Sequence, residues 1–148
     1  MPVNFELVTP ERLLVSREVE MVVVPGSEGN FGVLPGHAPF ISTIRPGTVD
    51  IYQGREITER IFVVGGIAEV TPERCTVLAD EAIAPDTLDR AAIEAELQTV
   101  EGNLPSLREQ VGHATGTDRE RLAAELRHME RQQTVARAKL QALAEMRG

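Results

Sequence analysis

The side chains best suited to chemistry in this 148-residue sequence are one cysteine, three histidines and a single lysine, Lys139. A thiol nucleophile needs a base within hydrogen-bond reach. Cys75 falls in Arg74-Cys75-Thr76-Val77-Leu78-Ala79, a stretch expected to be a strand, and a free cysteine on a strand is usually packed. An enzyme built on Cys75 and His37 therefore stands only as an alternative. His37, His113 and His128 lack metal-ligand spacing, and one cysteine cannot complete a structural zinc site. Lys139 lies in Arg137-Ala138-Lys139-Leu140, not after the Gly-x-x-x-x-Gly of a phosphate-cradling loop. The carboxylate pairs Glu18/Glu20 and Asp80/Glu81 come without an aromatic sugar platform, so ordinary solvated positions are expected rather than a glycosidase pair. No catalytic residue, no metal set and no cofactor site is expected from these types and spacings. That points to a protein that works by contact.

Composition sets the same bounds. The chain is 42% hydrophobic and 26% charged, with no Trp and one Tyr, so its core must be aliphatic. Its formal net charge of -8 makes it a poor partner for a phosphate backbone, and no nucleic-acid binding is expected. The lone Cys75 excludes an internal disulfide and fits a reducing compartment. No stretch approaches the ~20 apolar residues of a spanning helix. The start, Met1-Pro2-Val3-Asn4-Phe5-Glu6, resembles neither a signal nor a transit peptide. Any membrane contact is expected to run through another protein.

Two kinds of element must position whatever surface does the work. Up to about Pro85 the chain is rich in β-branched residues, Gly and Pro; beyond it Ala, Leu, Glu, Arg and Gln take over. We therefore expect a β unit over residues 1–85 and a helical unit over 86–148. Short strands are expected at Val3–Val8, Leu13–Arg17, Val19–Val24, Gly32–Leu34, Phe40–Ile44, Thr48–Tyr52, Glu56–Val64, Ile67–Val70 and Arg74–Ala79. Turn signals separate them, among them Gln53-Gly54-Arg55 and Gly65-Gly66. Regularly spaced short strands imply a β-sandwich or flattened barrel.

In the second unit Asp86 is expected to cap a helix, with Asp89 in its first turn. Ile93, Leu97, Val100, Leu104, Leu107 and Val111 then recur at spacings of 4, 3, 4, 3 and 4, a coiled-coil seam. Gly102 and Pro105 predict a kink or break near Asn103. Thr117-Asp118-Arg119-Glu120 reads as a capping box opening a second helix. Its seam runs Leu122, Leu126, Met129, Ala136, Leu140 and Leu143, with Gln133 in the missing core place. Residues 86–111 carry 2 basic and 6 acidic side chains, residues 119–147 carry 7 and 4, so an antiparallel helical hairpin is favoured. Such a hairpin is marginal alone and must lean on something, which makes it a natural two-position switch.

The densest run of backbone-special residues is Gly26-Ser27-Glu28-Gly29, then Gly32-Val33-Leu34-Pro35-Gly36-His37-Ala38-Pro39, then Pro46-Gly47. With Val64-Gly65-Gly66-Ile67-Ala68-Glu69-Val70 and Thr76-Val77-Leu78-Ala79-Asp80, this run resembles the epsilon subunit of F-type, proton-translocating ATP synthases. The resemblance is specific from Val3 to about Ala84 and looser beyond. It implies a β-sandwich followed by two helices, and a non-catalytic subunit of the central stalk. The implied partners are the gamma subunit, the c-subunit ring and the alpha/beta catalytic head. The implied place is the cytoplasmic face of a bacterial inner membrane, held there through the ring.

Carried over residue by residue, the ring-facing loop would be Glu28, Gly29, Asn30 and Phe31, with His37 nearby. His37 is also accounted for as a hydrogen-bonded turn residue. The family often has an acidic residue where Asn30 stands. An extended hairpin that inhibits ATP hydrolysis would use Arg131, Arg137, Lys139 and Arg147, which otherwise form a solvated basic face. Some members bind ATP through an Ile/Leu-Asp-x-x-Arg-Ala pattern. Here Leu88 and Asp89 keep the first two positions, but Ala92 replaces the arginine and removes a charge-assisted phosphate contact, with Arg90 only a partial substitute, so weak or no ATP binding is expected. A free-standing adaptor, with a sandwich platform and a coiled-coil arm, remains the alternative from another class.

Overall fold

The computed structural model describes residues 2–147, without the side chain of Arg147, and divides into two compact units, Met1–Thr87 and Leu88–Gly148. Among the described residues the first unit holds ten strands: β1 (Val3–Val8), β2 (Leu13–Val19), β3 (Met21–Gly26), β4 (Gly29–Val33), β5 (Phe40–Ile44), β6 (Gly47–Gln53), β7 (Glu56–Val63), β8 (Gly66–Val70), β9 (Arg74–Ala79) and β10 (Ala82–Ile83). They form one ladder in the order β10-β7-β6-β3-β5-β8-β9-β1-β2, with β4 hanging on β3. Every pairing is antiparallel except β1 with β9.

The reason for closure is the alternation within each strand. Val3, Phe5 and Leu7 of β1 are buried, and so are Cys75, Val77 and Ala79 of β9, while residues between them face outward. Val22 and Val24 of β3, Val49 and Ile51 of β6, and Ala68 and Val70 of β8 join the same cluster. The sheet therefore curls into a sandwich around one mainly aliphatic core that includes Phe5, each fully buried large side chain contributing roughly 1.5–3 kcal/mol. A one-residue slip in any ladder would turn that set outward.

The structure moves several expected boundaries. The fourth strand starts at Gly29, not Gly32, because residues from Val22 to Gly26 pair with Val33 to Gly29 and close a hairpin around Ser27-Glu28. The second strand continues to Val19, and Glu20 makes the bend into β3. Strand β10 was not expected; Ala82 and Ile83 simply extend the edge beside Val63 and Phe62. A short 3-10 turn at Pro85–Thr87 follows.

The second unit is α1 (Arg90–His113) and α2 (Gly116–Arg147), packed as an antiparallel pair. The cap of α1 is Asp89, whose carboxylate accepts from the Ala92 N–H at 3.3 Å; Asp86 lies in the 3-10 turn instead. The expected break near Asn103 does not occur, and α1 is continuous through Pro105. Leu104 and Leu107 are buried on either side of that proline, so packing holds the turn despite its missing N–H bond. The second helix begins at Gly116, with φ +60°, ahead of the expected capping box, and the Arg119 N–H bonds to the Thr115 carbonyl. Thr117 is therefore inside the first turn.

Candidate interaction sites: the sandwich tip and the helical hairpin

The run of turns between Gly26 and Gly47 folds into a tip held from several sides. Ser27 and Glu28 form its two-residue turn, both exposed. Gly29 follows at φ +133°, a conformation side chains rarely adopt. The turn is strapped to β5: the Ser27 N–H bonds to the Thr43 carbonyl at 2.9 Å, and the Ser27 and Thr43 hydroxyls lie 2.6 Å apart. Arg45 reaches back over the same hairpin. Its guanidinium donates to the Gly26 carbonyl and to Asn30 Oδ1, each at 2.5 Å, and its backbone N–H donates to the Pro25 carbonyl at 3.0 Å. Gly26 is packed so closely that a Cβ there would lie 2.8 Å from the Gly29 carbonyl.

Of the four ring-facing candidates, Glu28, Gly29 and Asn30 are exposed, and Phe31 is half-buried with its ring edge-on to Phe40, centroids 4.9 Å apart. His37 joins this cluster from the next turn, 5.2 Å from the same Phe40 ring. Its Nδ1 lies 3.0 Å from the Ala38 carbonyl, which only accepts, so Nδ1 is the donor of that contact. Its backbone N–H closes a turn onto Leu34, while the Gly36 N–H bonds to Pro72. Thus Phe31, Phe40 and His37 sit under one small surface, and Asn30 beside it is fixed by Arg45.

A second surface lies on the outer face of β5, β8 and β9. Thr43, Ile67 and Leu78 stand in register across the three strands, and Ile41 is on the same face. Ile41 is 71% exposed, Leu78 51% and Ile67 47%. Sequence reasoning did not single out this apolar strip, although the alternation of Ile41 and Thr43 with Ser42 and Ile44, and of Ile67 with Ala68, contained it.

In the hairpin, Ile93, Val100, Leu104 and Leu107 of α1 are buried, as are Ala136 and Ala142 of α2. Gln133 fills its seam position with a polar contact: its Nε2 donates to Glu101 Oε2 at 2.8 Å. Arg137 donates to the same carboxylate oxygen. The two donors hold the Glu101 carboxyl below its usual range, Gln133 first and Arg137 second. Arg108 and Glu130 add a cross-helix pair at 3.5 Å. This Glu101 cluster was missed by sequence reasoning, though an unpaired Gln in a seam was its signal.

Of the four cations proposed for an extended hairpin, the three whose side chains are described are not brought together. Arg131 is exposed, Lys139 half-buried, Arg137 engaged by Glu101, and the side chain of Arg147 lies outside the described residues. Arg137 falls about 120° around the helix from Arg131 at 100° per residue. In the degenerate ATP pattern Asp89 is the α1 cap, and Arg90 pairs with Glu94 at 3.8 Å. Both have local structural roles.

Cys75 is fully buried beneath β9, and desolvation pushes its thiol up to about 12. A nucleophilic cysteine needs the opposite shift. Among the described residues no group of three or more His, Cys, Asp and Glu side chains is placed to hold a metal ion. Among the described residues no helix is long and apolar enough to cross a membrane.

A sandwich with a braced tip, an apolar outer strip and a helical hairpin, whose one thiol is closed off, defines a binding subunit. The description "ATP synthase, Delta/Epsilon chain, beta-sandwich domain" fits residues 2–85. The ATP synthase epsilon chain of Rhodospirillum rubrum is 56% identical over 101 residues, covering 68% of this chain and 75% of its own. That of Rhodospirillum centenum is 53% identical over 126 residues, covering 84% and 83%. Among solved structures, the fold is similar to a chain of the Euglena gracilis mitochondrial ATP synthase (OSCP/F1/c-ring, rotational state 1), with TM-score 0.71 and 19% identity over 96% of this chain and 81% of that one. A chain of the Tetrahymena thermophila mitochondrial ATP synthase central stalk and c-ring matches at TM-score 0.51 and 13% identity over 59% and 69%. This chain belongs to the ATP synthase epsilon-chain family, non-catalytic stalk subunits of the synthase.

Proposed function

We propose that the chain is a rotor coupling element of a proton-translocating ATP synthase, on the cytoplasmic face of a bacterial inner membrane. The gamma subunit holds the sandwich, and the apolar strip of Ile41, Ile67 and Leu78 offers it a dry contact. The tip at Glu28, Gly29, Asn30 and Phe31, with His37 behind it, rests on the c-ring. The observation that carries this reading is the bracing of the tip by Arg45 and Thr43, because torque is lost through a compliant contact.

The hairpin adds regulation: extended toward the alpha/beta head, α2 inhibits ATP hydrolysis. The polar Glu101 cluster supports this, since a seam that mixes apolar and polar contacts separates at lower cost than a dry one. ATP is not a strong ligand in this reading, because Asp89 and Arg90 are engaged locally.

The test is ATP hydrolysis by the head and gamma, with the full chain or a chain ending at Thr87. Inhibition by the full chain alone supports the switch. If both bind gamma and neither inhibits, the sandwich carries the function without regulation. If neither binds gamma, the rotor reading fails and the free-standing adaptor replaces it.

A further inference from the structure

We propose that the tip docks through a hydrogen-bond donor, the Asn30 carboxamide N–H, and so fits a partner loop that presents an acceptor: a carboxylate or a backbone carbonyl. The inference rests on the reading that this tip meets the ring. A guanidinium has donors and no acceptor. The Asn30 atom 2.5 Å from Arg45 is therefore its oxygen, and the NH₂ must point the other way. Arg45 cannot turn to relax this choice, since its other arm is on the Gly26 carbonyl and its backbone on Pro25. Asn30 is exposed, and none of the contacts among the described residues takes its NH₂ protons.

The polarity of the tip is thus set by a residue fifteen positions away in sequence. An aspartate at position 30 would keep the Arg45 contact, strengthened by charge. It would also present an acceptor where Asn30 presents a donor. Asn30→Asp is then a near-isosteric change that reverses what the tip offers while leaving its frame in place. Against an acceptor it leaves two like groups facing each other, which is costly at a desolvated contact.

The experiment uses membranes that carry the c-ring, stripped of head and stalk. They are rebuilt with head, gamma and the full chain, either parent, N30D or E28W, and retention and ATP-driven proton pumping are measured. Glu28 is exposed at the turn, so E28W places bulk on the tip without disturbing the core. We expect E28W to abolish ring-dependent retention and N30D to weaken it about tenfold. A loss in N30D that salt relieves identifies the acceptor as a carboxylate, since two like charges then face each other; a loss insensitive to salt identifies a carbonyl. If N30D behaves as parent while E28W blocks, the donor proposal is overturned and the tip remains the contact. If neither variant changes retention or pumping, the tip reading falls with it.

Discussion

The sandwich and the hairpin are both built from alternating apolar and polar positions, yet they are held together differently. In the sandwich, Phe5, Leu7, Val22, Val24, Val49 and Val63 are completely shielded from solvent and the core cluster contains no charged side chain. In the hairpin, most seam positions of α2 stay half-exposed and the middle of the seam is a carboxylate with two donors. Close-packed cores resist gradual deformation, whereas a polar seam has a defined register and alternatives in water. One unit is suited to transmit force, the other to change place.

Glycine substitutions give the sharpest way to break that contrast. At Gly66, φ is +129° and a Cβ would lie 2.1 Å from the Leu78 carbonyl oxygen, which is backbone and cannot yield. Gly66→Ala should cost at least ~3 kcal/mol, or prevent folding of the sandwich. At Gly102, inside α1, a Cβ meets nothing within 4 Å. The same change there should stabilise the hairpin by roughly 0.5–1 kcal/mol. Urea unfolding of the two variants reads both signs, and equal effects would erase the distinction between the units.

A truncation in the hairpin core comes next. Leu104 is 2% exposed, so Leu104→Ala should destabilise the hairpin by about 2–4 kcal/mol. Amide exchange should rise over residues 90–147 and stay unchanged over β1 and β9. A rise spread evenly over both units would show that the hairpin does not open by itself.

Much of this architecture was legible in the sequence, for physical reasons that also explain the gaps. Period-2 alternation around Phe5, Val49 and Val77 and the 4-3-4 spacing from Ile93 to Val111 depend on local geometry alone. Both survive without any knowledge of partners. The β3–β4 hairpin was misplaced because Asn30 and Phe31 look like loop residues until Pro25 and Val24 pair with them. The break expected near Asn103 failed because the propensities of Gly102 and Pro105 were outweighed by burial of Leu104 and Leu107. The Arg45 brace was invisible, since nothing local tells an arginine before Pro46 to reach back to Gly26 and Asn30. The ring-facing candidates could be named by resemblance, but not the group that orients them.

A smaller effect separates the units by their response to base. Burial raises the Cys75 thiol to about 12 in the folded sandwich, from 9.0 for the free group. Between those values the unfolded chain loses a proton that the folded chain keeps, so sandwich stability falls as pH rises above about 9. Thiol reagents should therefore label Cys75 only at the rate of unfolding. Rapid labelling of the native chain at pH 8 would contradict the buried assignment.

The smallest expected effect lies in acid, in the hairpin. Gln133 and then Arg137 stabilise the charged form of Glu101, so its folded value lies below that of the unfolded chain. The contribution is fully present above the unfolded carboxylate range and is lost as pH falls through the folded value. Glu101 faces solvent, so the loss is modest and screened by salt. Glu101→Gln should remove this acid dependence, and it leaves Arg137 without its carboxylate. In the rotor reading the freed α2 of Glu101→Gln then inhibits hydrolysis at a lower concentration than the parent chain. Unchanged inhibition together with faster amide exchange at residues 100–137 would mean that the seam opens without serving the switch.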